Sequence, residues 1–160
     1  MRGRQLRPLP VVLFGLTLAV ELAAVALSWR LESGYDTLLY ALYSVSLAGA
    51  GALIASRRPR NPIGWLFCFL ALLNAVAADA AQGWALRATD DGWPASDAAV
   101  AVSDVSRQLI GLGWIVTLLL FPDGRLLSRT WRLVIWTGAV GTVLAIAGWS
   151  SSPDRGGDFP

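Results

Sequence analysis

Apolar residues in this chain run in long blocks. They follow neither the strict alternation of a half-buried strand nor the three-to-four spacing of an amphipathic surface helix. The blocks are Leu9–Trp29, Thr37–Ala55, Ile63–Ala85, Ala98–Phe121 and Leu133–Trp149. Each comes near the ~20 apolar residues that an α-helix needs to cross ~30 Å of hydrocarbon. The pattern predicts an all-α fold, a polytopic integral membrane helical bundle of about five transmembrane helices over residues 9–149. A basic segment, residues 1–8, precedes it. The Ser-, Gly-, Asp- and Pro-rich tail 150–160 is expected to be disordered. The first block has a second reading as a secretory signal peptide, because Arg2, Arg4 and Arg7 precede it and Ala26-Leu27-Ser28 has the form of a cleavage site. Its length and the interruption by Glu21 favour a retained helix.

Polar positions inside the blocks are few. Ionisable groups at bilayer depth cost ~2.5–3.5 kcal/mol each and by default face the bundle interior. Glu21, Asp79, Asp104 and Arg107 fall in this class. At 1.5 Å per residue, Glu21 lies about 18 Å up its helix from the Arg-rich boundary, Arg107 about 21 Å, Asp79 about 24 Å and Asp104 about 25 Å. Tyr40 and Tyr43 fall in the same slab, which makes the six residues a candidate sensing pocket. The alternative is a purely structural staple in which Asp104 and Asp79 neutralise Arg107. Asp104 and Arg107 are three apart and share a helix face that Gly111 and Trp114 continue, so this face is expected to point at neighbouring helices. Two small-residue stripes, Ser44, Ala48, Gly51 and Ala55 on the second helix and Gly138, Gly141, Ala145 and Gly148 on the fifth, predict close helix packing. The first stripe reads as a contact within the chain, and the second as the better candidate for an unsatisfied surface.

Charge orients the bundle. Arg2, Arg4, Arg7, Arg57, Arg58, Arg60, Arg125, Arg129 and Arg132 fall on one side of the spans, and Arg30, Arg87 and Arg155 on the other. The positive-inside rule then predicts a cell (plasma) membrane protein with its N-terminus cytoplasmic and its C-terminus extracytoplasmic. Glu32, Asp36, Asp90, Asp91, Asp97, Asp154 and Asp158 would lie outside, and Asp123 inside. Trp29, Trp84 and Trp149 mark outer helix ends, and Trp65 and Trp131 inner ones, while Trp114 falls mid-helix and is expected to pack between helices. The outer segments Leu31–Asp36 and Leu86–Asp97 are too short to hold a ligand domain.

Composition removes most chemistry. There is no His, all 13 basic residues are Arg, and Cys68 is the single cysteine. A histidine-based triad, a P-loop lysine, a Schiff base and an intrachain disulfide are therefore excluded within these residues. The chain as given is expected to catalyse nothing and to need no cofactor. Expected partners are the lipid bilayer and a homodimer mate or another membrane subunit, with no nucleic acid and no metal.

Two inner loops carry the remaining local information. In Arg57-Arg58-Pro59-Arg60-Asn61-Pro62-Ile63-Gly64-Trp65, Asn61 is placed to cap the third helix with Pro62 at its first position. In Phe121-Pro122-Asp123-Gly124-Arg125, Pro122 stops the fourth helix and Asp123-Gly124 turns the chain. The basic loop ending in NPIGW, followed by about two spans and then LLLFPDGRLLSRTWR, resembles the membrane region of actinobacterial sensor histidine kinases. The resemblance covers Arg57–Trp65 and Leu118–Arg132 in detail. It implies a membrane-embedded sensing and anchoring region of a two-component signalling protein, truncated before a sixth span and the kinase domains. A free-standing membrane subunit and a small transporter or channel component are the alternative readings.

Overall fold

The computed structural model describes residues 8–28, 34–92, 94–121, 124, 128 and 130–150. Expectations for Arg2, Arg4, Arg7, Trp29, Arg30, Glu32, Pro122, Asp123, Arg125, Arg129 and the tail from Ser151 lie outside the described residues. So do those for the side chains of Asp36, Asp90 and Trp149.

Each apolar block forms a helix. The elements are α1 (Leu9–Ser28), α2 (Gly34–Arg57), α3 (Pro62–Leu73), a π-helical segment (Asn74–Ala80), α4 (Ala81–Asp91), α5 (Ser96–Leu120) and α6 (Trp131–Ser150). The fold is all-helical, with no strand among the described residues. Among the described residues, five segments are long and apolar enough to cross a membrane: Leu9–Leu27, Leu38–Arg57, Pro62–Ala88, Asp97–Leu120 and Trp131–Gly148. This is the make-up of a multi-pass membrane protein.

The third span departs from the sequence reading. It continues past Ala85 to Asp91, so most of the segment read as an outer loop from Leu86 is helix. An i,i+4 ion pair at 3.2 Å between Arg87 and Asp91 supports this extra turn. Arg87 also donates from Nε to the Leu27 carbonyl at 3.0 Å, capping the last turn of α1 with a cation. The stop comes at Gly92, whose φ of 68° supplies the left-handed cap.

Helices α2 and α3 make the tightest seam. Ser44, Ala48, Gly51 and Ala55 are all buried. A Cβ on Gly51 would stand 2.7 Å from the Cys68 backbone nitrogen and 2.9 Å from the Gly64 oxygen, and one on Gly64 would stand 2.6 Å from the Ala55 nitrogen. Backbones at that distance leave room for no side chain on either glycine, which is how van der Waals contact holds helices together in lipid. Above this seam Leu47, Ala48, Leu70 and Ala71 form the core, with Phe14, Leu66, Phe67 and Trp114 packed against it. Trp114 meets Phe67 and Tyr43 with ring centroids 6.1 and 6.4 Å away. It therefore lies between helices.

At one end of the bundle the two arginine-bearing loops meet. The Asn61 side chain accepts from the Ile63 N–H at 3.0 Å, and Pro62 opens α3. The Trp65 indole donates to the Pro59 carbonyl at 2.9 Å, so its N–H is met by the loop itself. Gly124 sits against this turn with φ of 71°, and a Cβ there would stand 2.6 Å from Pro62 Cδ and 2.8 Å from Asn61 Oδ1. Both the left-handed backbone and the missing side chain are needed at Gly124. Arg57, Arg58, Arg60 and Phe121 are exposed around this junction.

The last helix is held least. Among the described residues α6 packs against α5 alone. Gly138 approaches Leu112, whereas nothing lies within 4 Å of a Cβ on Gly141 or Gly148. Ala145 borders a groove of about 260 Å³ between α5 and α6, lined also by Asp104, Val105, Arg107, Gln108 and Ile146.

Candidate functional site: a polar cluster inside the bundle

The π-helical segment packs against α1, α2 and α5, at the centre of the most buried span. Its geometry explains why Asn74 and Asp79 act together. In an α-helix, residues five apart diverge by about 140° around the axis. A π turn closes i to i+5 and stacks them. Here Asn74 Nδ2 donates to Asp79 Oδ2 at 3.0 Å and to Ser44 Oγ on α2 at 2.7 Å, both buried. One amide thus spends both protons tying the widened turn to α2.

Glu21 enters the same space from α1. It is 2% exposed, and neither carboxylate oxygen has a hydrogen-bond partner. Ser44 and Asp79 lie beside it. Asp79, 7% exposed, therefore has a carboxyl neighbour on one side and the Asn74 amide on the other. The charge of Arg107 reaches Asp79, but its guanidinium donates to Gln82 Oε1 instead, and it stands 3.8 Å from Asp104.

The structure therefore divides the slab of polar residues. Glu21 and Asp79 come together in the interior with Ser44 and Asn74. Asp104 and Arg107 form an outlying pair whose side chains are 27% and 51% exposed. Tyr40 and Tyr43 are exposed and line, with Leu39 and Asn74, a groove of about 560 Å³. Asn74 belongs to both groove and cluster.

The expected inward face of α5 holds at Trp114, which packs against Phe67 and Tyr43, and for Arg107 only in its bond to Gln82 of α4. Arg107 and Gly111 are exposed, and the buried positions are Ser103, Ser106 and Thr117. That face is turned about 100° from the expected one, one residue's rotation. The cause lies at Gly113, which lets α5 close onto Leu70, and in Thr117, which returns its hydroxyl to the Gly113 carbonyl at 2.8 Å. A stripe of small residues packs more closely than one carrying an arginine, even though Ser103 Oγ is buried there without a hydrogen-bond partner. Thr17, fully buried on α1, returns its hydroxyl to the Leu13 carbonyl at 2.9 Å.

Asn74 and Ser44 are cluster members that the sequence reading did not place there. Ser44 reads as one more small residue in a packing stripe. The usable signal is the five-residue spacing of Asn74 and Asp79, which pairs side chains only if the helix widens between them.

No protein family, curated protein or solved structure matches the chain at a significant level.

Proposed function

We propose that the chain is the membrane-embedded sensing and anchoring region of a two-component-type signalling protein. In this reading the cluster of Glu21, Ser44, Asn74 and Asp79 is its responsive element. The observation that carries it is the π segment, where a widened turn is held to α2 by one amide beside an unpartnered glutamate. Such a turn is a local defect in the helix ladder, and defects of this kind occur often at functional sites. It has two arrangements to choose between, widened or fully α, and a stimulus that favours one shifts the residues on either side of it. The junction of Asn61, Pro62 and Gly124 lies at the far end of the same span and offers the movement an outlet. The likeness of these two loops to sensor kinase membrane regions supports a signalling role.

The reading puts the Arg57–Arg60 loop and Ser128 in the cytoplasm. Single cysteines at Arg58 and Ser128, in a Cys68→Ala background, are expected to resist a membrane-impermeant maleimide on intact cells and to react after lysis. Labelling of both from outside inverts the orientation.

Sensing is tested with the native thiol. Cys68 is buried on the α2-facing side of α3. Its reaction with a membrane-permeant maleimide is expected to change several-fold when cells meet osmotic or bilayer-perturbing stress, and Asp79→Asn is expected to abolish the change. A rate indifferent to every such challenge sinks the sensing reading and leaves only anchorage.

A further inference from the structure

Glu21 is the least explained group in the bundle. Buried polar atoms without partners are rare, and each calls for an occupant or a reason. Asn74 spends both amide protons on Ser44 and Asp79, and Arg107 engages Gln82 and Asp104. What remains beside Glu21 is the Ser44 hydroxyl, which accepts from Asn74, and a second carboxyl. Two acidic groups in an apolar interior with no cation between them are strongly unfavourable.

We propose that Glu21 and Asp79 bind a small monovalent metal cation, Na⁺, between α1 and the widened turn of the third span. The donor set is all oxygen, the choice of hard cations. Glu21 contributes both carboxylate oxygens, Asp79 the oxygen that Asn74 leaves free, and Ser44 its hydroxyl oxygen. These four oxygens fall further short of the about six to eight that Ca²⁺ takes than of the smaller shell of Na⁺, and Mg²⁺ retains several waters that a buried site does not accommodate. The groove of Leu39, Tyr40, Tyr43 and Asn74 gives an entry path, because Asn74 lines it and also bonds Ser44 and Asp79 of the cluster. The ion would screen the two carboxylates from each other and fix the widened turn against α1.

This deepens the sensing reading and rests on it only for the consequence of binding. The full chain is purified in choline chloride, and Na⁺ replaces choline at constant pH and ionic strength. Equilibrium binding of ²²Na⁺ and the thermal transition are followed together. Saturable binding with a rising transition is expected, with little response to K⁺. Glu21→Gln and Asp79→Asn, both near-isosteric, are each expected to weaken binding about tenfold or more, roughly the loss of one charged ligand. Arg107→Gln should tighten it by removing a competing charge. If a variant fails to fold, competition of unlabelled Na⁺ against ²²Na⁺ on the unaltered chain still decides. The proposal is overturned if the unaltered chain shows no saturable ²²Na⁺ binding. It is also overturned if both carboxyl substitutions leave binding intact, or if stability follows pH alone, the pair then holding only a proton. Binding without any change in Cys68 reactivity keeps the site and removes the sensing role, while stress-dependent Cys68 reactivity without binding does the reverse.

Discussion

Gly64→Leu is expected to destabilise the bundle by about 3 kcal/mol, at the upper end of what overpacking costs. The neighbour a new side chain would meet is the Ala55 backbone, 2.6 Å from the position of a Cβ. A helix backbone has no rotamer to give, so α2 and α3 must separate. Gly51→Leu should act alike, since its Cβ would meet the Cys68 nitrogen at 2.7 Å. The single cysteine reports on the seam directly. Cys68 is 1% exposed, with Sγ 2.9 Å from the Gly51 Cβ position. Its maleimide labelling should be slow in the unaltered chain and much faster in either variant, alongside a lower thermal transition. Gly111→Leu and Gly141→Leu, which meet open space, are expected to stay within about 0.5 kcal/mol. Equal effects at all four glycines would show that the seam is not where the structure puts it.

The second large effect has opposite signs at two residues in contact with the same cluster. In sodium-free buffer, Glu21→Met should stabilise the chain by about 1–3 kcal/mol. It removes a buried carboxylate whose oxygens make no hydrogen bond, together with its repulsion of Asp79. Asn74→Leu should destabilise it by about 1–3 kcal/mol, because it orphans Ser44 and Asp79 together. Thermal transitions of both variants in one detergent provide the check. A destabilised Glu21→Met would mean that its oxygens are satisfied in the membrane by something that holds it firmly.

Much of the architecture is legible in the residue order. Helices in lipid must be long and apolar to satisfy their own backbone, so the blocks beginning at Leu9, Thr37, Ile63, Ala98 and Leu133 reappear as spans with ends displaced by a few residues. The stretch from Leu86 to Asp91 escaped because its hydropathy is low, and it is helical through a side-chain pair and a contact to α1 instead. Trp114 was placed by the rarity of an indole at mid-helix. Close packing at Gly51 could be read from the stripe, but which stripe finds a partner could not. The two glycine-bearing helices look alike in sequence, yet α2 closes on α3 while Gly141 and Gly148 of α6 face open space. The cluster itself was half legible. Depth brings Glu21 and Asp79 to one level, whereas their separation from Arg107 depends on a rotation of α5 that no periodicity specifies. Asn74 required knowing that the helix changes pitch.

The five segments also differ in length. The third runs 27 residues and the last 18, about 40 Å against about 27 Å along the axis. No single hydrocarbon thickness matches both. A slab of about 30 Å fits the last helix nearly upright and forces the third to tilt or to hold its ends in the headgroups. Because Asn74–Ala80 lies midway along the overlong segment, any thickening or thinning of the bilayer bears first on the widened turn.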